Sequence, residues 1–366
     1  MTPRERLLAT ARGDWADRVP LFLEGFHFTS ADEINETAKR KIFERISEQI
    51  HFFHSIPSYI NRYLVTPPQC IKTVSQKREN GNVTTTSVIS TPKGKLTAVT
   101  SENTVSRTLW TIKYPVETLV DIEKIRLIRW ELPEELVPPG LANLPAGFNA
   151  RGIVHTGVSS PFVCVAGMMP YDTFLEFCAS ELNLLRELSE QCMERILRIL
   201  DVLLAQNTIE WVWMGGCEWI TPPMASAEIY DALVQQFEKP VIARIHAAGA
   251  ISHVHCHGNV RTTLEKVIAR GGDFFEPVEP PPDGDISFAE AKALANGRIT
   301  LAGNIESRIL ENDNAAAVER ATRAAFEGGK YRMVLRNTAC PISLMTPRMI
   351  QNYHRLIDVW EELSPI

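Results

Sequence analysis

The chain has 366 residues, of which 45% are apolar and 22% charged, and its formal net charge is −6. This composition is typical of a globular protein with a large core, and a mildly acidic chain without a basic stripe argues against nucleic acid as a partner. The opening MTPRERLLATARGDW lacks the apolar segment of a signal peptide, and no apolar run approaches the ~20 residues that span a bilayer. We therefore expect a cytoplasmic protein without a membrane partner.

The first 115 residues predict a helix, a strand, a second helix and an antiparallel appendage. TPRERLLATARG has a proline at a helix start and apolar residues at helical spacing, whereas RVPLFLEG is typical of a buried strand. Residues 33–62 predict a helix whose apolar face carries Ile42, Phe43, Ile46 and Ile50. Residues 70–115 are rich in Thr and Val and contain NGN and PKG, which predict a β-hairpin outside the main core.

From about residue 150, strand and helix patterns alternate with short connections. RGIVHTGV, IEWVWMGG, ISHVHC, DFFEPV, RITLAGN and YRMVLRN predict strands, and PVIARIHA predicts a strand or a strand-to-helix turn. This alternation indicates parallel βα units, and without a GxGxxG motif we favour a closed (β/α)8 TIM barrel over a doubly wound sheet. We expect one barrel domain over residues 1–366, with the appendage at about 70–115.

Side chains capable of chemistry follow the predicted strands, at the end where a barrel carries its active site. The candidates are Cys217, Glu218, His255, His257, Glu276, Glu279, Asn304 and Cys340. The seven cysteines are scattered without a Cys-x-x-Cys pair, which is typical of cytosolic thiols rather than of a disulfide framework.

The stretch HVHCHGNV contains three of the nine histidines. His255 and His257 are two residues apart, so in an extended segment both imidazoles point to one face and Cys256 points to the other. Two neutral imidazoles and a thiolate from Cys340 can form a tetrahedral zinc site with one open position. We interpret His253 as a packed or hydrogen-bonded residue and Cys256 as a small buried one.

Other residues of this region also have structural interpretations. Glu218 and Glu279 could cap helices or pair with Arg244 and Arg261. The aromatic residues of WVWMGG are most simply core residues on a barrel strand.

Several segments resemble the uroporphyrinogen decarboxylase superfamily, and the resemblance covers nearly the whole chain. They are RERLLATARGDWADRVPLF, STPKGKL, VHCHGNV, GGDFFEPVEPPPDGDISFAEAKALANGRITLAGNIESRIL and CPISLMTPRMIQNY. The resemblance implies a (β/α)8 barrel and two possible chemistries. One branch decarboxylates uroporphyrinogen without a cofactor, and the other contains zinc-dependent methyltransferases that exchange methyl groups with a corrinoid.

The decarboxylase branch has an arginine-rich segment after the first strand, which holds the carboxylates of its substrate. The corresponding segment here, LFLEGFHFTSADEIN, contains no arginine, and Glu24 would repel an anionic tetrapyrrole. This departure argues against decarboxylation.

The methyltransferase branch has a His-x-Cys pair followed by Gly, and a distant Cys six residues before Thr-Pro. His255, Gly258 and Cys340 match this pattern, and Thr346-Pro347 follow at the required spacing. His257 stands where the branch has cysteine, which leaves a formal charge of +1 on zinc and a stronger Lewis acid. The alternative is a shifted register in which Cys256 is the ligand.

The resemblance therefore implies a zinc-dependent methyltransferase acting between a small substrate and a corrinoid. His255, His257 and Cys340 are the expected zinc ligands, Glu218 a fourth ligand or general acid/base, Glu279 a partner of a ligating histidine, and Asn304 a cofactor contact. No D-x-H-x-x-G corrinoid signature is present, so the cobalamin is expected on a separate protein. The alternatives are a uroporphyrinogen decarboxylase-like enzyme and a catalytically silent barrel that binds a small ligand.

Overall fold

A computed structural model describes residues 1–56, 67–106, 108–133, 136, 143–341 and 344–366. Its strands are β1 (Leu21–Phe22), β2 (Phe52–Ser55), β3 (Ile71–Glu79), β4 (Asn82–Thr91), β5 (Gly94–Asn103), β6 (Leu109–Lys113), β7 (Gly152–Ser159), β8 (Trp211–Gly215), β9 (Ile251–His255), β10 (Phe274–Glu276), β11 (Thr300–Ile305) and β12 (Met333–Asn337).

The helices alternate with the strands from β7 onward. They are α1 (Pro3–Arg12), α2 (Thr37–Ile46), α3 (Leu119–Arg126), α4 (Phe148–Arg151), α5 (Pro161–Ala166), α6 (Tyr171–Ser180), α7 (Leu182–Leu203), α8 (Ala227–Tyr230), α9 (Gln236–Ala247), α10 (Thr263–Ala269), α11 (Phe288–Ala295), α12 (Ser307–Asn312), α13 (Ala315–Phe326) and α14 (Pro347–Leu363). A π-helical turn, Asp231–Gln235, joins α8 to α9, and 3-10 turns occupy Ala31–Glu33, Pro68–Cys70 and Cys217–Ile220.

Eight strands form a parallel sheet in the order β1-β12-β11-β10-β9-β8-β7-β2. Its edge strands, β1 and β2, approach each other, because the rings of Phe22 and Phe53 lie 5.8 Å apart between centroids. Within the described residues no hydrogen-bonded pairing joins these two strands. The predicted α/β class and curled parallel sheet are confirmed, whereas complete closure of the barrel stays a prediction.

The inside of the sheet has an apolar floor. Side chains from the beginnings of the strands, including Trp211, Ile251 and Phe274, pack there with Leu7 and Leu8 of α1. Helix α1 therefore covers the end of the sheet at which the strands begin. This packing leaves the opposite end, where the strands stop, for polar side chains.

Two of the predicted elements are wrong. Residues 33–62 do not form one helix, because α2 ends at Ile46 and β2 follows it; residues 57–62 lie outside the described residues. PVIARIHA is neither a strand nor a turn but the second half of α9. Its buried residues Val241, Ile242 and Ile245 have the i, i+1, i+4 spacing of one helical face, despite their β-branched side chains.

The Thr-rich appendage is a four-stranded antiparallel sheet in the order β3-β4-β5-β6, so the predicted hairpin is present and is extended by two further strands. Asn80 and Gly81 join β3 to β4 with φ of 50° and 73°. Positive φ at both central residues is typical of the tight turns that match the twist of a hairpin. No helix within the described part of the chain is long and apolar enough to cross a membrane.

Asn352→Ala is expected to lower the free energy of unfolding by about 1–3 kcal/mol. Asn352 is fully buried in α14, and its amide donates to the carbonyl oxygens of Leu310 and Asp313 at 2.9 and 2.8 Å. Its loss leaves those carbonyls, at the end of α12, without this donor. Urea titration measures the change, and Asn312→Ala, which removes an exposed amide nearby, should cost less than about 0.5 kcal/mol. Equal losses of stability in the two variants would show that the hydrogen bonds from Asn352 to the end of α12 do not stabilise the fold.

Candidate functional site

A polar cavity of about 380 Å³ lies at the ends of the parallel strands. Much of its lining consists of imidazoles and charged groups: His27, His155, His253, His255, His257, Glu24, Glu276 and Arg336. Because the floor beneath it is apolar, these groups depend on one another for hydrogen bonds and charge balance.

Glu276, the last residue of β10, is the centre of this network. Its Oε1 atom lies 2.8 Å from His253 Nε2 and 2.7 Å from His255 Nδ1, and its side chain has no exposed surface. The indole N–H of Trp211 donates to His253 Nδ1 at 2.9 Å. That donor assigns the proton of His253 to Nε2, so Glu276 accepts a hydrogen bond from both imidazoles.

Arg336, from β12, balances the carboxylates of the cavity. Its guanidinium donates to Glu276 Oε2 and, at 3.0 Å, to Glu24 Oε2. Burial would raise the pKa of Glu24, but His27 and Arg336 hold it well below its ordinary value. Two carboxylates therefore face the one guanidinium of the cavity lining and leave an excess of one negative charge.

His257 has its own carboxylate partner. Its Nδ1 lies 2.9 Å from Glu279 Oε1, and the other oxygen of Glu279 accepts the backbone N–H of Gly258 at 2.8 Å. The rings of His255 and His257 lie 4.6 Å apart between centroids. Strand alternation thus places both imidazoles in the cavity, whereas Cys256 is fully buried on the other side of the strand.

The carboxylates fix one tautomer of both imidazoles. His255 and His257 each donate Nδ1–H to a glutamate, so the tautomer of the neutral ring has no proton on Nε2, and no described residue hydrogen-bonds to either Nε2. Burial lowers the pKa of His255 to about 4, so this ring is neutral near pH 7. His255 therefore has a free nitrogen lone pair at Nε2, as a metal ligand requires, and the neutral form of His257 presents the same atom.

A second cavity, of about 560 Å³, adjoins the first. It has an aromatic and apolar wall that includes Tyr114, Tyr171, Trp219 and Met224. Tyr171 and Trp219 meet edge to face, with their ring centroids 6.0 Å apart, and Tyr171 donates its hydroxyl hydrogen to the carbonyl of Trp219. His257 lines both cavities, so the aromatic cavity opens directly onto that imidazole.

Glu218 lies in the 3-10 turn after β8 and also lines the aromatic cavity. It accepts the backbone N–H of Gly216 at 3.1 Å. The sequence also allowed ion pairs of Glu218 and Glu279 with Arg244 and Arg261. These pairs do not form, because Arg244 pairs with Asp201 and Arg261 with Glu290.

Cys340 lies apart from the two imidazoles. Cys340 is exposed and packs beside Gly25. A Cβ atom added to Gly25 would lie 3.2 Å from the Cβ atom of Cys340. Within the described residues, the one group of three metal-ligating side chains whose ligand atoms lie within 4.8 Å of one another consists of Cys217, Glu218 and Cys256. The structure thus brings His255 and His257 together but does not gather Cys340 with them.

Asn304 lies near the end of β11, with its Cα in register with that of Arg336. Its side chain is 9% exposed, and neither cavity includes it among its described lining residues. Its predicted role as a cofactor contact therefore has no support from the cavity linings.

Sequence reasoning missed Arg336 and His155 of the polar cavity and singled out Glu24 only as a charge that an anionic substrate would meet. Arg336 and Glu24 are 312 residues apart and nothing in the sequence around either indicates the pair. His155 had a recoverable signal, because it lies in RGIVHTGV, a predicted strand in which a polar residue interrupts an apolar run. Its Nδ1 atom is buried without a hydrogen-bond partner among the described residues.

A sequence profile of the family described as uroporphyrinogen decarboxylase (URO-D) matches residues 111–363, well over half of the chain. The chain belongs to the uroporphyrinogen decarboxylase family. The resemblance recognised in the sequence is thereby confirmed. No curated protein matches this family member.

One solved structure shares the fold of this uroporphyrinogen decarboxylase family member. A methyltransferase from Methanosarcina mazei is 16% identical, with 99% of each chain covered and a TM-score of 0.58. A B12-independent methionine synthase from Shewanella sp. W3-18-1, in complex with selenomethionine, is 9% identical, with 80% of this chain and 76% of the other covered and a TM-score of 0.41.

The metal-free protein is expected to lose stability as the pH falls from 7 to 5, partly through His155. Burial lowers the pKa of His155 from its ordinary 6.5 to about 4. The unfolded chain therefore takes up a proton below pH 6.5 that the folded chain refuses until about pH 4, so this contribution is complete above pH 6.5 and is lost as the pH falls.

For one such histidine, the free energy of unfolding changes by at most about 1.4 kcal/mol per pH unit. Urea titrations at several pH values measure it, and His155→Gln should flatten the profile between pH 6.5 and 5. If the substitution leaves the slope unchanged, His155 does not contribute in this way.

Proposed function

We propose that this protein is a zinc-dependent methyltransferase that moves a methyl group between a small substrate and a corrinoid carried by a separate protein. The observation that carries the proposal is the pair of carboxylate-anchored imidazoles, His255 and His257, at the strand ends of a barrel of this family. Each has its Nδ1 proton on a glutamate and its Nε2 free, which is the arrangement that zinc-binding histidines adopt.

The donor set fits zinc. Two neutral imidazoles and one thiolate are ligands that zinc accepts, and three protein ligands leave one position open. His255, His257 and Cys340 would hold the ion, and Cys340, on the exposed segment after β12, would have to move toward the imidazoles. When bound, zinc would supply a Lewis acid that polarises the atom from which, or to which, the methyl group is transferred.

The charge of the polar cavity also suits a cation. Arg336 is outweighed by Glu24 and Glu276, which leaves one negative charge before any ion enters. A thiolate from Cys340 would add a second. These groups would then total −2, and Glu279, hydrogen-bonded to His257, adds a further carboxylate beside the site. The surroundings of the imidazoles therefore favour a divalent cation.

The chain's own residues orient the reactants. Glu276 and Glu279 hold the Nδ1 protons and so leave Nε2 of each imidazole available to an ion. The aromatic cavity next to His257 would bind the apolar part of the small substrate and exclude water from it. Glu218, on the wall of that cavity, is placed to accept or return a proton at the substrate atom that gains or loses the methyl group.

The corrinoid would come from a partner that docks over the ends of the strands, and Asn304 stays a proposed contact for it. The fold shared with a methyltransferase from Methanosarcina mazei is consistent with this assignment. The decarboxylase alternative is less well supported, because Arg336, the cation among the described residues of the polar cavity, is already paired with two carboxylates.

The test is methyl transfer to or from cobalamin, followed by the absorption change at cobalt. The zinc-loaded protein, without a polyhistidine tag, is assayed with reduced and with methylated cobalamin against methoxylated aromatics, methylamines, methanol, thiols and tetrahydrofolate. We expect transfer that depends on zinc and that Cys340→Ser weakens strongly, because a serine hydroxyl stays protonated near neutral pH.

Two outcomes would overturn the proposal. One is the absence of a cobalt signal across the whole panel. The other is efficient decarboxylation of uroporphyrinogen by the metal-stripped protein.

A further inference from the structure

We propose a second metal site, formed by Cys217, Glu218 and Cys256, on the opposite side of the β9 strand end from His255 and His257. It would bind a borderline or soft divalent cation, with zinc as the cellular candidate. This site goes beyond the proposed function, because neither of its two thiols takes part in the imidazole site. The one residue common to both proposals is Glu218, which would be a ligand while the ion is bound and a proton acceptor in its absence.

The three ligand atoms are already close together. One atom from each residue, the two sulfurs and a carboxylate oxygen, lies within 4.8 Å of the others. Two thiolates bound at about 2.3 Å to one tetrahedral ion lie roughly 3.8 Å apart, so a contraction of about 1 Å or less completes the site. Side-chain rotations can supply such a movement without a change of the strands.

The topology explains why the two thiols meet. Strands β8 and β9 are parallel neighbours, with Gly215 in register with His255. Cys217 follows β8 by two residues and Cys256 follows β9 directly, so both leave the sheet at the same level. Cys256 points away from the polar cavity because its neighbours, His255 and His257, point into it.

The surroundings are suited to coordinated thiolates. Cys217 is 1% exposed and Cys256 is fully buried, so water does not compete for the sulfurs. A guanidinium nitrogen of Arg270 lies 3.9 Å from Cys217 Sγ, and Arg270 is held by a buried ion pair of 2.6 Å with Glu238. Arg270 can therefore donate a hydrogen bond to a bound thiolate, as partners of metal ligands commonly do.

The charge balance is also acceptable. Each thiol releases one proton when it binds, so one divalent ion replaces two protons and the net charge of the buried cluster does not change. The third ligand, Glu218, reaches the aromatic cavity, so the remaining position of a tetrahedral ion is on a side that water can enter. Two thiolates and one carboxylate are a donor set that zinc accepts.

Cadmium titration of the full-length protein tests this site, because each thiolate bound to Cd²⁺ adds ultraviolet charge-transfer absorption. The protein carries no tag and is stripped of metal under reducing conditions. We use the double variant His257→Ala/Cys340→Ser, which lacks the imidazole site. We expect it to bind one equivalent of Cd²⁺ with the absorption of two thiolates.

Cys217→Ala or Cys256→Ala, added to the double variant, should abolish this binding, and Glu218→Gln should weaken it at least about tenfold, as loss of one ligand from three requires. The matched control is Cys192→Ala in the same background. Cys192 is fully buried beside the Cys164 thiol, and neither belongs to a described group of three ligands. Circular dichroism verifies that each variant is folded, and Glu218→Gln, which keeps both thiols and a partly exposed side chain, serves if an alanine variant unfolds.

The site is refuted if the double variant binds no Cd²⁺, or if Cys192→Ala lowers binding as much as Cys256→Ala does. The two sites can fail separately. If the thiol site does not exist, the wild type binds one equivalent that the double variant loses. If the imidazole site does not exist, the wild type binds one equivalent that the double variant retains.

Discussion

His257→Ala is expected to remove zinc from the imidazole site and to reduce methyl transfer by at least about 100-fold. Loss of a partner outside the ligand shell already costs a metal site about 10- to 100-fold in affinity or activity, and loss of a ligand should cost more. His257 lines both cavities, so its removal also takes away the contact between the proposed ion and the proposed substrate. The zinc content of tag-free protein should fall by one ion per chain.

The control for this substitution is His354→Ala. His354 lies in α14 and contacts Arg45, away from both cavities. It should retain the zinc and the transfer rate of the wild type. If His257→Ala also retains both, His257 is not a ligand, and the assignment of the site to the inward face of β9 is wrong.

Glu276→Gln is expected to be the most destabilising single change in the polar cavity, at about 3–5 kcal/mol. The glutamine would lose the negative charge that faces Arg336, and its NH2 group would oppose an N–H donor from His253, His255 or Arg336. Because the side chain is fully buried, water cannot repair the mismatch. Urea denaturation measures the loss of stability, and zinc affinity should fall about 10- to 100-fold in the same variant.

Glu279→Gln separates the loss of zinc affinity from the loss of stability. Glu279 anchors His257 but contacts no buried guanidinium, and its side chain is 12% exposed. This variant should lose zinc affinity to a similar extent but only about 1–3 kcal/mol of stability. Equal losses of stability in Glu276→Gln and Glu279→Gln would show that Glu276 is not needed to balance the buried charge of Arg336.

The alternation of strands and helices after residue 150 could be predicted because each strand is a short apolar run between turn residues. The eight strands of the curled sheet could not all be assigned. PVIARIHA has the composition of a strand, yet it continues a helix, whereas FFHS at 52–55 is a real strand of four residues. Its pairing with β7, about 100 residues later, decides its structure, and local pattern does not report such long-range contacts.

Within the site, the inward direction of His255 and His257 followed from the two-residue period of an extended chain. The contact between His257 and Glu279 could be anticipated, because both residues follow neighbouring strands. The pairing of Arg336 with Glu276 could not, since these residues lie on β12 and β10, which are separated by β11, and the contact depends on how the sheet curls. The proximity of Cys217 and Cys256, which follow the neighbouring strands β8 and β9, was open to the same reasoning, but the sequence interpretation of Cys256 as a small buried residue did not use it.

The indole of Trp211 has a consequence for the chemistry above it. This side chain belongs to the apolar floor, but its N–H decides which nitrogen of His253 carries a proton, and His253 shares a carboxylate oxygen with His255. The apolar floor of the curled sheet thus supplies one of the two contacts that fix the tautomer of His253, and Glu276 supplies the other. A substitution that removes this N–H but fills the same volume would leave Nδ1 of His253 buried without a donor, at a cost of about 1–3 kcal/mol, although Glu276 would still hold the proton at Nε2.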